Sequence, residues 1–117
     1  MKLYNFFLVI ILIFFNSCAK VEKKESVLAE KSLKLQVAEA YKEGIKSLEE
    51  GDVLFAAKKF NEAEILFPQS EWAPKSALMA AYSYYIQDYY GDAVSELQRF
   101  LKVYPKHKNN DYANYLL

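Results

Sequence analysis

From Leu33 onward, apolar residues return every three or four positions, the spacing that puts one face of a helix against a neighbour. Leu33, Val37, Ala40/Tyr41, Gly44/Ile45 and Leu48 form one such stripe. Gly51-Asp52 interrupts it: glycine accepts the left-handed backbone that ends a helix, and aspartate can cap the next one. A second stripe runs through Phe55/Ala56, Phe60, Ala63 and Phe67 and stops at Pro68. The pattern predicts two helices joined by a tight turn.

The same pattern then recurs. Pro68 and Pro105 lie 37 residues apart. At that offset Gly44 falls on Ala81, Leu48 on Tyr85, Ala56 on Ala93, Phe60 on Leu97, Ala63 on Phe100 and Phe67 on Tyr104. Small residues mostly meet small ones, and large apolar residues meet large ones. A period in the thirties, built as helix–turn–helix and closed by proline, is the mark of tetratricopeptide-type repeats. The expected fold is all-α, a solenoid of antiparallel helix pairs. Ala56 and Ala93 would let paired helices approach closely, with Phe60 and Leu97 filling the space between them. Residues beyond the usual 34-residue period belong around Gln69–Ala73, before Pro74, which a helix tolerates in its first turn. Unit one is placed at about 37–70 and unit two at about 71–107. A third unit begins within 108–117, its helix opening at Asp111, because Tyr41, Leu78 and Tyr115 share the register. Repeat arrays need about three units and a polar closing helix. Tyr112, Tyr115, Leu116 and Leu117 supply no such cap, so the chain is expected to be the front of a longer array.

The N-terminus follows a different rule. A positive start and a mostly apolar stretch, Leu3 to Phe15, precede Cys18, the only cysteine. The unbroken apolar run Phe6 to Phe15 has ten residues, about half of the ~20 that a membrane-crossing helix needs. The stretch reads as a secretory signal, 1–17, with Phe15-Asn16-Ser17-Cys18 resembling a bacterial lipobox. Cys18 is then the lipidation site and tethers the protein to a membrane, since two or more acyl chains hold stably where one does not. The charged segment 18–32 reads as a solvated tether and 33–117 as the repeat domain.

Removing the signal leaves 100 of the 117 residues and takes away Lys2 but no acid, so 15 acids face 14 bases, a net charge of −1. Such a chain has no basic field for nucleic acid. With Cys18 used as anchor there is no intrachain disulfide, and stability must come from packing.

Catalysis finds no support in the sequence. One histidine, His107, no free cysteine and no Gly-x-Ser-x-Gly leave no nucleophile–base pair to assemble. Gly44, Gly51 and Gly91 do not make a phosphate loop, and His107 has no companion ligands at metal spacing. No cofactor is expected. His107 reads as a capping residue of a turn, and Glu62/Glu64 as a solvated face. Tyrosine is the feature left over, with nine of ten beyond the signal. Tyr82, Tyr85 and Tyr89 follow helical spacing with Leu78 and Ile86. If the first helix of each pair lines a concave surface, Tyr41, Ile45 and Leu48 adjoin Leu78, Tyr82 and Tyr85, and Tyr112 and Tyr115 continue the stripe. Tyrosine suits a peptide groove, offering apolar area, little rotamer entropy and a hydroxyl. Tyr84 and Tyr104 are assigned to packing.

An ordered set of fragments resembles the BamD family, the tetratricopeptide lipoproteins of the outer-membrane β-barrel assembly machinery. It comprises Phe67-Pro68-x-Ser70-x-x-Ala73-Pro74-Lys75, Ala77-Leu78-Met79-Ala80-Ala81-Tyr82-x-Tyr84-Tyr85, Tyr89-x-x-x-Ala93, Arg99-Phe100, Tyr104-Pro105-x-His107 and Asp111-Tyr112-Ala113-x-Tyr115-Leu116. The resemblance spans about Val37 to Leu117, and Lys108 departs from it where the family generally has proline. It implies a lipid-anchored protein on the periplasmic face of the outer membrane. It also implies that the N-terminal repeats bind unfolded barrel precursors and that other assembly subunits are partners. The rival expectation is another periplasmic tetratricopeptide lipoprotein that scaffolds cell-envelope or cell-division complexes. An envelope hydrolase stands behind both.

Overall fold

The computed structural model describes residues 22–117, with side chains from Ser26. Five helices follow one another: α1 (Glu22–Glu49), α2 (Val53–Leu66), α3 (Trp72–Tyr85), α4 (Tyr90–Val103) and α5 (Asn110–Leu116). The signal and Cys18 lie outside the described residues. Helix α1 opens at Glu22, well before the apolar stripe begins at Leu33, and Ser26 to Ser32 are all exposed. The charged segment is therefore helical from Glu22 but solvated over Ser26–Ser32. No described helix is long and apolar enough to cross a membrane.

Residues Lys31–Leu117 form one compact unit. Its first turn shows why the chain reverses where it does. Gly51 sits at φ +83°, the Gly51 N–H donates to the Leu48 carbonyl, and the Asp52 N–H donates to the Ser47 carbonyl. These two bonds satisfy carbonyls that the end of α1 leaves open, the pattern of a Schellman cap. Asp52 then caps α2, its carboxylate accepting the Phe55 N–H at 3.1 Å. Helix α2 stops at Leu66, with Phe67 as C-cap and Pro68 next. Pro74 lies in the first turn of α3, where its missing N–H costs little.

The 37-residue register holds in three dimensions. Both ends of α4 lie 37 residues beyond the matching ends of α2. The inner positions agree too: Val37, Ala40, Ala56, Phe60 and Ala63 are buried in hairpin one (α1–α2), as are Ala77, Ala81, Ala93, Leu97 and Phe100 in hairpin two (α3–α4). Ala80 on α3 packs among Ala56, Ala57 and Phe60, so small residues bring the two hairpins close around the Phe60 ring. Trp72 and Tyr41 close that seam edge to face, their rings 5.2 Å apart. The architecture is the all-α, tetratricopeptide-like stack of helix pairs that the periodicity predicts.

Candidate functional site

The first helices of the successive pairs line a common groove. Tyr41 comes from α1, Leu78 and Tyr82 from α3, and Tyr112 from α5; with Lys75, Met79, Lys108 and Asn109 they enclose about 470 Å³. Leu78 is nearly buried and serves as floor, sharing the core with Leu97 and Phe100. Tyr41 is a wall fixed by its neighbours, its ring edge-on to Phe60 at 5.2 Å as well as to Trp72. Burial holds its phenol above the usual tyrosine range. Tyr112 is also pushed up, first by burial and then by the fields of Tyr82, Tyr85 and Tyr115. Tyr41 and Tyr112 therefore remain neutral at physiological pH. They offer hydroxyl donors beside apolar rings, the combination that meets both side chains and backbone carbonyls of an extended peptide.

The remaining sequence-predicted positions fall elsewhere. Ile45 and Leu48 pack against the Phe60 cluster of hairpin one and do not line the groove. Tyr85 is 37% exposed and rests edge-on against Tyr90, with ring centres 6.0 Å apart. Tyr115 is 82% exposed. Both are close enough to act electrostatically on Tyr112, so they flank the groove without enclosing it. Lys75, Met79, Lys108 and Asn109 complete the lining, though the sequence pattern did not mark them as groove residues. Periodicity gives no signal for a turn residue such as Lys108, and a lysine in the first turn of a helix reads as solvated.

His107 is a turn residue, as expected. Its ring stands edge-on to Phe100 at 5.6 Å, and Nδ1 accepts the Asn109 N–H at 3.3 Å. Burial, followed by the charges of Lys108 and Lys75, holds its pKa below the ordinary histidine value. A neutral ring is what that acceptor role requires. Among the described residues no group of three His, Cys, Asp or Glu side chains could hold a metal.

The reading of Glu62/Glu64 as a solvated face is half right. Glu62 is exposed and pairs with Lys59 at 2.9 Å. Glu64 is buried, 7% exposed, and its carboxylate accepts both ends of the Arg99 guanidinium at 2.8 and 2.7 Å and the Tyr104 hydroxyl at 2.7 Å. Arg99 also donates to Glu96 at 2.9 Å. The Tyr104 phenol is driven well above its usual range, by burial first and then by this bond. Tyr104 packs against Phe100, as predicted, and also carries a polar contact that the sequence reading did not foresee.

Comparison with known proteins identifies a family. Residues 34–117 match the family described as YfiO, outer membrane lipoprotein. The chain is 33% identical over 99 residues to the outer membrane protein assembly factor BamD of Caulobacter vibrioides, covering 85% of this chain and 32% of that protein. It is 34% identical over 104 residues to BamD of Neisseria meningitidis serogroup B, covering 86% of this chain and 38% of the relative. With BamD of Neisseria gonorrhoeae it shares 36% identity over 80 residues, 68% of this chain and 30% of that one. The chain thus spans about a third of the length of the curated relatives it matches.

Proposed function

This chain belongs to the YfiO/BamD family of outer membrane lipoproteins, and from that premise we propose that it acts in outer membrane protein assembly by holding unfolded barrel precursors in its tyrosine-lined groove. The groove carries the proposal: rings and hydroxyls from three successive first helices converge on one apolar floor. An extended segment presents alternate side chains to one face, so aromatic residues at every second position can meet Tyr41, Tyr82 and Tyr112 in turn. Hydroxyls and the Asn109 amide then bond its backbone. The chemistry is binding, with no bond made or broken.

The anchor belongs to the same proposal. Acylation of Cys18 holds the chain on the periplasmic face of the outer membrane, where precursors and the other assembly subunits gather. Replacing Cys18 by alanine should abolish palmitate labelling and release the protein from the membrane fraction. Retention of both would reject lipidation at this residue.

The groove is tested with the double substitution Tyr82→Ala/Tyr112→Ala. Its affinity for a short end-blocked peptide alternating tyrosine and threonine should fall about tenfold or more, because truncation of central aromatic anchors commonly costs ~2 kcal/mol or more. Helical circular dichroism should be retained. Wild-type affinity in a folded double variant would reject the groove.

A further inference from the structure

The groove and the Glu64 carboxylate occupy different layers of the molecule. Only α1, α3, α5 and the turn before α5 line the groove, whereas Glu64 lies on α2 and its partners on α4 and the C-cap of α4. All hydrogen bonds between side chains of α2 and those of α4 or its cap converge on Glu64. The rest of the seam between the hairpins is apolar contact, with Ala80 of α3 among Ala56, Ala57 and Phe60 and Trp72 against Tyr41. Apolar contact is favourable but largely non-directional, so it resists separation better than it resists rotation. A guanidinium–carboxylate fork is directional, because two parallel bonds fix the plane of each group.

We infer that Glu64, Arg99 and Tyr104 form a clamp that sets the rotation of hairpin two on hairpin one, and through it the width of the groove on the opposite layer. Arg99 and Tyr104 are positioning residues; they touch nothing in the groove. The clamp sits beside groove residues in the chain of contacts. Tyr104 packs on Phe100, Phe100 on His107, and His107 holds the backbone of Asn109, which lines the groove. Withdrawing the Glu64 carboxylate from water to meet a part-exposed guanidinium adds little to stability alone, and fixing a register is the better-attested use of such a pair. This inference rests on the groove reading of function.

The test uses the full chain in detergent and the double variant Glu64→Leu/Arg99→Met. This variant removes both charges of the fork together, leaving only the part-exposed Glu96 carboxylate to solvent. Trp72, the only tryptophan, sits in the seam against Tyr41, so its emission reports the hairpin contact directly. The expected result is unchanged helicity, a red shift of Trp72 emission, and about fivefold or greater loss of affinity for the end-blocked peptide, the lower end of ordinary coupling between sites. Arg99→Lys should keep the charge but not restore affinity, because an ammonium has no fork. A folded double variant with unchanged affinity overturns the inference, whatever its emission does. So does full rescue by lysine. Should the double variant not fold, Tyr104→Phe, which deletes one bond and keeps the ring on Phe100, must still shift the emission and weaken binding; no change in either overturns the clamp. A wild-type chain that fails to bind the peptide defeats the groove reading instead, and the Trp72 emission of the variants alone then decides whether the clamp sets the seam.

Discussion

Hairpins one and two solve one packing problem with different residues. In hairpin one the inner face of α1 carries Gly44 and the facing position on α2 carries Phe60, both buried; a methyl added to Gly44 would stand 2.8 Å from the Phe60 ring. At the same register hairpin two has Ala81 against Leu97. The smaller facing residue leaves room for the methyl. Volume is conserved across each helix pair, not at each position, as close-packed interiors demand. The turns differ in the same way. Gly51 and Asp52 become Asp88 and Tyr89, yet the hydrogen bonds are copied: Asp88 N–H to the Tyr85 carbonyl and Tyr89 N–H to the Tyr84 carbonyl. Asp88 takes the left-handed conformation at φ 61°, and Tyr89 makes no side-chain cap. Backbone geometry is what the repeat preserves. Hairpin two achieves it with less favourable local chemistry.

The sharpest way to break this comparison is at its centre. Phe60→Ala should lower unfolding free energy by about 3–5 kcal/mol in urea titration, with Leu97→Ala in a similar but slightly lower range. Equal tolerance of Phe60→Ala and a surface change would deny that the ring fills the first hairpin.

Next in size is the exchange of one hairpin's solution for the other's. Gly44→Ala alone should cost about 1–3 kcal/mol by overpacking, despite alanine's better helix propensity. Adding Phe60→Leu should recover most of that loss. Simple additivity of the two changes would show that the positions do not share the volume.

The turns predict opposite signs for mirror substitutions. Gly51→Ala should destabilise by about 1–2 kcal/mol, whereas Asp88→Gly should stabilise by about 0.5–1 kcal/mol, because the left-handed cost is paid in one turn and relieved in the other. Tyr89→Asp should add about 0.5–1 kcal/mol by supplying the cap that Asp52 supplies to α2. Melting temperatures of the three variants check the set.

The smallest expected effect concerns pH. The folded chain holds His107 below its ordinary pKa of 6.5, so the unfolded chain takes up a proton first as pH falls. The contribution of the neutral ring is complete above about pH 6.5, diminishes below it, and levels off once pH has passed the folded value. His107→Gln should flatten that part of the stability profile. An unchanged slope would mean that the ring is not held neutral.

The hairpins were legible in the sequence because their determinants are local and periodic. Gly51-Asp52, the stripe on α1 and the 37-residue register needed no knowledge of distant contacts. Glu64 was misread for the opposite reason: its partners Arg99 and Tyr104 lie 35 and 40 residues away, and nothing beside Glu64 distinguishes it from the exposed Glu62. The groove was half legible. Helical spacing correctly placed Tyr82 beside Leu78, and the register added Tyr41. Spacing could not tell that Ile45 and Leu48 turn toward Phe60, because residues on one stripe can belong to adjoining faces once a third helix packs against them. Lys108 and Asn109 reach the groove only because the turn that His107 closes brings them there.

The Gly44–Phe60 contact also bears on how tandem units drift apart after duplication. A lineage moving from the first solution to the second must shrink the ring before the methyl arrives; the reverse order passes through a collision. Returning, the methyl must leave first. Each sibling unit therefore has a preferred order of substitution in which a small void is the tolerated intermediate, and ancestral sequences of such arrays should record more glycine–leucine pairings than alanine–phenylalanine ones at these two sites.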